Sequence, residues 1–525
     1  MMNSNIKTHT GNHGAIAAGH AITAEAGRDV LAAGGNAYDA AIAAFFASCV
    51  AEPVLSSLGG GGFLLSQTAS GQHQLFDFFV QTPCQKRSAE LIDFKPIWAD
   101  FGTTRQEFHI GFGAIATPGV VKGIFEVHRE LGSIPMTELV QPAIHAARTG
   151  VRLNALQAYI FSVVSPILMA SPESAALFSG QVTGQTVAEG ELFCLPQLAD
   201  TLEILAIEGD ALFYRGELAQ QMADECSEYG GHLQYKDFTD YRVQCHQPLS
   251  FKYRDSQVVT NPPPSSGGIL IAFALQLWQQ VCGGVKEHGS VAHLRCLAEV
   301  MERTNQARIE AHLDDSNGHP RGDMLLDEKL LCRYRDAILG RRRAHRGTTH
   351  ISVIDRWQNV ATLTVSNGEG CGYMLPGTGF MLNNMLGEED LNPHGFQRWQ
   401  TNQRMTSMMA PSIINQRDGG LVALGSGGSN RIRTAILQTI INMTDFGKPL
   451  EEAVCLPRLH FENGFLNVEK GFAESELKNL FEHFEQYKSW QSLNLFFGGV
   501  HSVQCQAGAF SGVGDPRRGG ICLSV

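Results

Sequence analysis

Residues 341–366 read Arg-Arg-Arg-Ala-His-Arg-Gly-Thr-Thr-His-Ile-Ser-Val-Ile-Asp-Arg-Trp-Gln-Asn-Val-Ala-Thr-Leu-Thr-Val-Ser. Two runs rich in β-branched residues, 349–355 and 360–366, flank the polar residues Arg356, Gln358 and Asn359, which is the pattern of a β-hairpin. A turn centred on Trp357 sets Thr348 opposite Ser366. Directly paired residues hold their Cβ atoms about 4.5–5.5 Å apart, so two hydroxyls are expected to meet at one end of the hairpin, beside a basic loop. A different turn register breaks that pairing.

The Gly347–Thr348 junction has a specific chemical potential. A threonine hydroxyl is a poor nucleophile at neutral pH and needs a base. If Thr348 becomes the first residue of a new chain, its own α-amine supplies one, with an unperturbed pKa of about 7.7–8.0. Gly347 has no Cβ to obstruct the approach of the Thr348 hydroxyl to its carbonyl. Attack, shift to an ester and hydrolysis would then cut the chain. The β-methyl of Thr348 restricts its rotamers and helps hold the hydroxyl on target. Read alone, Gly-Thr-Thr also fits an ordinary hairpin, because threonines are common in strands, and the basic run 341–346 also fits a solvated loop.

The rest of the chain narrows the function classes. Its 525 residues allow a large core, and 43% hydrophobic with 18% charged residues is an ordinary globular balance. A net charge of −12 argues against a nucleic-acid partner and supplies no polybasic membrane signal. The 12 cysteines are scattered singly without a Cys-x-x-Cys pair, so neither a zinc site nor a redox motif is expected and a reduced chain is the plain reading. The N-terminus lacks the apolar stretch of a secretory signal, and the run 40–50 is too short to span a bilayer, so the expected location is the cytoplasm.

Residues 1–13 are polar and expected to be disordered. A helix rich in small residues is predicted over 25–49, interrupted at Gly34-Gly35 and restarted by Asn36 as a cap. Gly59-Gly60-Gly61-Gly62 leads into a strand at Phe63-Leu64-Leu65, and four glycines let backbone pass close to a ligand or a neighbouring strand. Helices are predicted at 137–148 and 291–311, with a stiff turn at 261–268 opening another apolar helix. A strand at 421–425 and a helix at 430–443 enclose Gly427-Gly428.

Gly347-Thr348-Thr349-His350-x-Ser352 resembles the processing site of the γ-glutamyltranspeptidase family. Further segments match that family in the same order. They are Gly34-Gly35-Asn36-Ala37-x-Asp39-Ala40-Ala41, Gly59-Gly60-Gly61-Gly62-Phe63, Thr117-Pro118-Gly119 and Pro262-Pro263-Pro264-Ser265-Ser266-Gly267-Gly268, followed by Leu382-Asn383-Asn384, Ser407-Met408, Gly427-Gly428-Ser429 and Asp515-Pro516-Arg517. The resemblance implies an α+β, four-layer αββα sandwich of the N-terminal-nucleophile hydrolase type. It also implies a large subunit, residues 1–347, ending in a mobile processing linker at 341–347, and a small catalytic subunit, 348–525, that stay associated after self-cleavage. Family members are often exported, so the missing signal is a departure.

The resemblance assigns roles residue by residue. Thr348 is nucleophile and, through its amine, general base; Gly347, Thr348 and Thr349 form the processing site. Ser366 matches a hydroxyl residue bonded to the nucleophile's amine, and the hairpin register had already set it there. Gly427 and Gly428 match the oxyanion hole, where glycines between a strand and a helix N-terminus can aim N–H groups at a developing oxyanion. Thr406 and Ser407 match a serine pair that binds the substrate's α-carboxylate, and Asn384 and Glu388 fall in the substrate-binding stretch. No metal or organic cofactor is implied.

Three departures stand out. The family arginine that clamps the α-carboxylate is Phe79 here, within Asp77-Phe78-Phe79-Val80, and losing a bidentate cation is a large change. Met385 and Glu388 occupy the positions of a glutamine and an aspartate that hold the substrate's α-amine. Gly368 stands where the family has an asparagine. Arg404, near Thr406, is a candidate substitute for the lost clamp. The expected activity is therefore cleavage of γ-glutamyl amides such as glutathione through a γ-glutamyl-Thr348 ester, with water or an amine as acceptor. The alternatives are an acylase of the same mechanism acting on glutaryl-like or other acyl amides lacking the α-carboxylate, and a non-catalytic binding relative.

Overall fold

The structure, a computed structural model, describes residues 12–100, 105–282, 284–310, 347–392 and 395–525. Most of the stretches expected to be disordered or mobile, 1–11 and 341–346, lies outside the described residues. Their inner ends are held: the His13 N–H donates to the Val525 carbonyl at 2.7 Å and the Gly347 N–H to Glu369 Oε1 at 2.8 Å.

The hairpin forms as read. Strands Thr349–Asp355 and Val360–Ser366 pair antiparallel, with Thr349 opposite Val365 and Ile354 opposite Val360. This register extends to Thr348 beside Ser366. The hairpin lies at the centre of a seven-stranded sheet ordered Ile521–Ser524, Gly14–Ala18, Thr349–Asp355, Val360–Ser366, Gly61–Gln67, His73–Phe78, Gln244–His246. A six-stranded sheet faces it, ordered Ala509–Val513, Gly499–Gln506, Leu421–Gly427, Ser412–Asn415, Ser256–Thr260, Leu249–Tyr253. All neighbours in both sheets are antiparallel.

Helices cover both outer faces, giving the four layers. Helix Ala37–Ala51 packs on the central hairpin and is buried along its whole length. Asn36 caps it as expected, accepting from the Tyr38 and Asp39 N–H groups at 2.9 Å, while Asp39 takes the Asn36 N–H in return. Helices Ser266–Val281 and Arg431–Thr444 cover the second sheet. Strand alternation builds the two cores. Ile16 and Ala18 face the helical side, whereas Ala15 and Ala17 join the core of the facing sheet.

The helix expected over 137–148 is two pieces, Met136–Leu139 and Gln141–Thr149, with Pro142 opening the second. The four glycines serve a strand rather than a ligand: a Cβ on Gly60 or Gly62 would lie 2.3 Å from the carbonyl of Ser366 or Thr364. The reading of a fully reduced chain is also corrected. Helices Ser266–Val281 and Val291–Glu310 bring Cys282 and Cys296 together as a disulfide, with Cα atoms 6.2 Å apart. Among the described residues no helix is long and apolar enough to cross a membrane.

Candidate active site

Thr348 enters the site from the head of a central strand and is only 4% exposed. In the unbroken chain two hydroxyls converge on one carbonyl. Thr348 Oγ1 donates to the Gly347 oxygen at 2.8 Å and Ser366 Oγ donates to the same oxygen at 2.7 Å. Ser366 Oγ in turn accepts from the Gly368 N–H at 3.0 Å, which orients its proton toward the carbonyl. Two donors on one carbonyl oxygen polarise the Gly347–Thr348 peptide group. With the chain unbroken, Ser366 thus serves the scissile carbonyl rather than an amine.

A cavity of about 480 Å³ opens beside this carbonyl. Thr348, Ser366, Glu388, Thr406 and Ser407 all line it, so the fold gathers these five sequence candidates around one space. Its apolar wall includes Phe79, Met385, Leu391 and Ile432. Phe79 stacks on Phe63 with ring centroids 5.5 Å apart, which seats the ring firmly where a charged clamp was expected to be missing.

Arg404 does not replace that clamp. Its guanidinium donates to the Phe79 carbonyl, to the Tyr241 hydroxyl and, at 2.6 Å, to the Arg242 carbonyl, and it stands 3.6 Å from Asp77. These bonds hold it behind the Phe79 backbone, away from the cavity lining. Asn384 is corrected likewise. Fully buried, it accepts from the Glu369 N–H at 3.0 Å and donates to the His109 carbonyl at 3.3 Å, so it braces the loop instead of meeting a ligand. Among the described residues, no Lys, Arg or His lines the cavity.

Gly427 ends the strand Leu421–Gly427, and a Cβ there would stand 2.1 Å from the Thr348 carbonyl oxygen. Gly428 follows at φ +116°, a conformation that favours glycine, and turns the chain toward helix Arg431–Thr444. Gly427 therefore lies close against the Thr348 backbone, whereas Gly428 lies against Gly498 and the Arg518 side chain.

A charged cluster under Thr348 was not legible in the sequence. Arg518 Nη1 donates to the Thr348 carbonyl at 3.1 Å. Burial pulls its guanidinium down to about 10, against the nearby Asp515 and Glu52 carboxylates, so it stays a cation at neutral pH. Glu52 is buried and accepts from Thr349 Oγ1 at 2.8 Å and Thr23 Oγ1 at 2.9 Å. Burial raises its carboxyl, while the two hydroxyl bonds and Arg518 oppose that shift. Thr349 thus points away from the scissile bond and anchors the strand. Asp515 positions Arg518 from behind: its carboxylate accepts from Arg458 at 2.7 Å, the Arg517 N–H at 2.9 Å and the Val500 N–H at 2.8 Å. Although burial alone would raise it, Arg458 and Arg517 hold that carboxyl well below the usual range. The Asp515-Pro516-Arg517 segment was the available signal; its contact with Thr348 spans too much sequence to be read locally.

A threonine at the head of an inner strand, between two antiparallel sheets sandwiched by helices, with its hydroxyl on the preceding carbonyl, defines a hydrolase of the N-terminal-nucleophile class. Comparison with known proteins gives the narrower assignment. The chain belongs to the γ-glutamyltranspeptidase family, whose model, described as Gamma-glutamyltranspeptidase, matches residues 23–525. It is 30% identical over 484 residues to an Acylase ACY 1 proenzyme of Pseudomonas sp. (strain V22), covering 89% of this chain and 86% of that protein. It is 28% identical over 549 residues to a Glutathione hydrolase proenzyme of Bacillus subtilis (strain 168), covering 98% and 92% respectively. The fold matches the crystal structure of cephalosporin acylase from Bacillus halodurans with a TM-score of 0.86 at 23% identity, over 100% of this chain and 98% of that one.

Proposed function

We propose that this enzyme cuts itself between Gly347 and Thr348 and then cleaves γ-glutamyl-type amides through an ester on Thr348. The carrying observation is the pair of hydroxyls, Thr348 and Ser366, on the Gly347 carbonyl oxygen. Once freed, the Thr348 α-amine takes the proton from its own Oγ as that oxygen bonds to the substrate carbonyl carbon. The tetrahedral oxyanion is held by N–H groups near Gly427 and Gly428. As the C–N bond breaks, the departing amine receives the proton. Water, or an acceptor amine, then attacks the ester and releases the acyl group. Glu388 suits an α-ammonium, and the hydroxyls of Thr406 and Ser407 suit a carboxylate. Relatives named glutathione hydrolase support this reading.

A second reading, an acylase of the same mechanism, is favoured by Phe79 and by the engagement of Arg404 elsewhere. A glutaryl group keeps a terminal carboxylate in place of the γ-glutamyl α-carboxylate and lacks only the ammonium. Phe79 therefore does not favour glutaryl over γ-glutamyl; it favours acyl groups without an anionic end. The relative named Acylase ACY 1 is compatible with this branch. Three amides of one chromogenic amine, carrying γ-glutamyl, glutaryl and pentanoyl groups, separate the readings. Fastest turnover of the γ-glutamyl amide supports the first, and fastest turnover of the glutaryl or the pentanoyl amide the second. No turnover of any by the cleaved protein would sink both.

A further inference from the structure

The Gly347 carbonyl group stands between two cavities. One is the space lined by Phe79 and Ser407. The other has Gly347 in its wall too and is lined by Val54, Leu55, Ile160, Val163, Leu495 and Arg518. Val54 and Leu55 follow the buried helix Ala37–Ala51, while Ile160 and Val163 lie on helix Ala155–Val163, so two separate elements build apolar walls. Its polarity is graded. The charged members, Arg518 and Glu369, are bonded directly to Thr348 and Gly347, at 3.1 and 2.8 Å, and so sit at the scissile bond. The aliphatic residues form the remainder around Tyr159.

An amide seated on Thr348 has two substituents that leave its carbonyl carbon in different directions. The acyl chain belongs with Ser407, Thr406 and Glu388 in the first cavity. We infer that the second cavity receives the amine half of the scissile amide and selects amines with an apolar, ring-sized body over small polar ones. This rests on the proposed acyl transfer through Thr348 and adds the class of leaving group. The physical cause is removal of apolar surface from water against aliphatic walls, where the Tyr159 hydroxyl is the one polar side-chain group away from Glu369 and Arg518 among the described lining residues.

The test uses the cleaved enzyme and two amides of whichever acid it turns over, one with 2-(2-naphthyl)ethylamine and one with glycine, both alkyl amines of similar basicity. Release of the acid is followed by mass spectrometry. Each rate is normalised to turnover of the methyl ester of the same acid by the same protein, since methanol reaches no further than Thr348. The parent is expected to favour the naphthylethylamide by at least about tenfold in kcat/KM, the worth of one buried apolar group. Ile160→Asn is expected to shrink that ratio at least threefold. Val163→Thr, nearly isosteric, is expected to shrink it in the same direction and serves if the first variant does not fold. Preference for the glycine amide in the parent, or an unchanged ratio in a variant that still turns over the ester, would overturn the inference. Absence of an acyl adduct on Thr348 from both amides and ester would sink the parent reading and this one with it.

Discussion

At Thr348 the chemistry depends on hydrogens no more than a few ångströms apart. Thr348→Ala removes the nucleophile, so the chain is expected to stay whole on a denaturing gel, while the parent yields a fragment whose N-terminal sequencing starts Thr-Thr-His. Ser366→Ala removes one of the two donors on the Gly347 oxygen. Loss of such a donor costs about 10²–10³ in rate, so the precursor should persist far longer in a time course; splitting at the parent rate would remove Ser366 from the mechanism. Arg518 makes a separable prediction. A cation bonded to the Thr348 carbonyl disfavours protonation of the amine on the same residue. An amine freed at Thr348 is therefore expected to lose its proton more readily than beside a neutral neighbour, and activity to rise with pH through that deprotonation. Arg518→Gln should move the acidic limb of kcat/KM to higher pH by about one unit, and Arg518→Lys should restore it. A purely structural loss would lower the rate without moving the limb.

At the scale of elements, the turn at Pro516–Arg518 is the device that delivers a cation to Thr348. Its keystone is Asp515, fully buried between Arg458 and Arg517. Asp515→Asn keeps the shape and removes the charge, leaving two buried guanidinium groups short of a partner. Breaking such a pair costs about 3–5 kcal/mol, to be read from chemical denaturation against the parent; a change under about 1 kcal/mol would show that the remaining Glu469 contact suffices. The hairpin, by contrast, was legible from local pattern alone. Its β-branched runs and polar turn set a register, and Thr349 opposite Val365 is that register. The break at Val140 was not legible as a break, because Pro142 is compatible with a helix start as much as with a helix end.

For the whole molecule, the proposed cut at Thr348 would divide both sheets. Strands from either side of it alternate in the seven-stranded sheet, where Gly14–Ala18 lies between Ile521–Ser524 and Thr349–Asp355. The two fragments should therefore co-elute in native gel filtration and part only in denaturant. Stability should also fall with acid. Burial holds His501 and His20 to about 4, and His350 and His293 are likewise lowered by burial. These side chains stay neutral in the fold but protonate near 6.5 when unfolded. Below that value the unfolded state binds more protons, so each contributes a loss of about 1.4 kcal/mol per pH unit until its folded pKa is reached. The thermal midpoint should drop between pH 6.5 and 5; a flat profile would mean compensation elsewhere.

Local chemistry in the sequence determined the hairpin, the Gly347–Thr348 junction and the helix capped by Asn36, because each depends on residues within a few positions of one another. It also exposed the loss of an arginine at Phe79. Only the tertiary structure decided where Arg404 points, that Asn384 braces a loop, and that Glu52 and Arg518 meet beneath Thr348. The Arg404, Glu52 and Arg518 contacts, and the Asn384 bond to His109, join residues more than a hundred positions apart. Burial, not local pattern, selects their partners, because a charge taken out of water must find whatever opposite group the packed layers bring near.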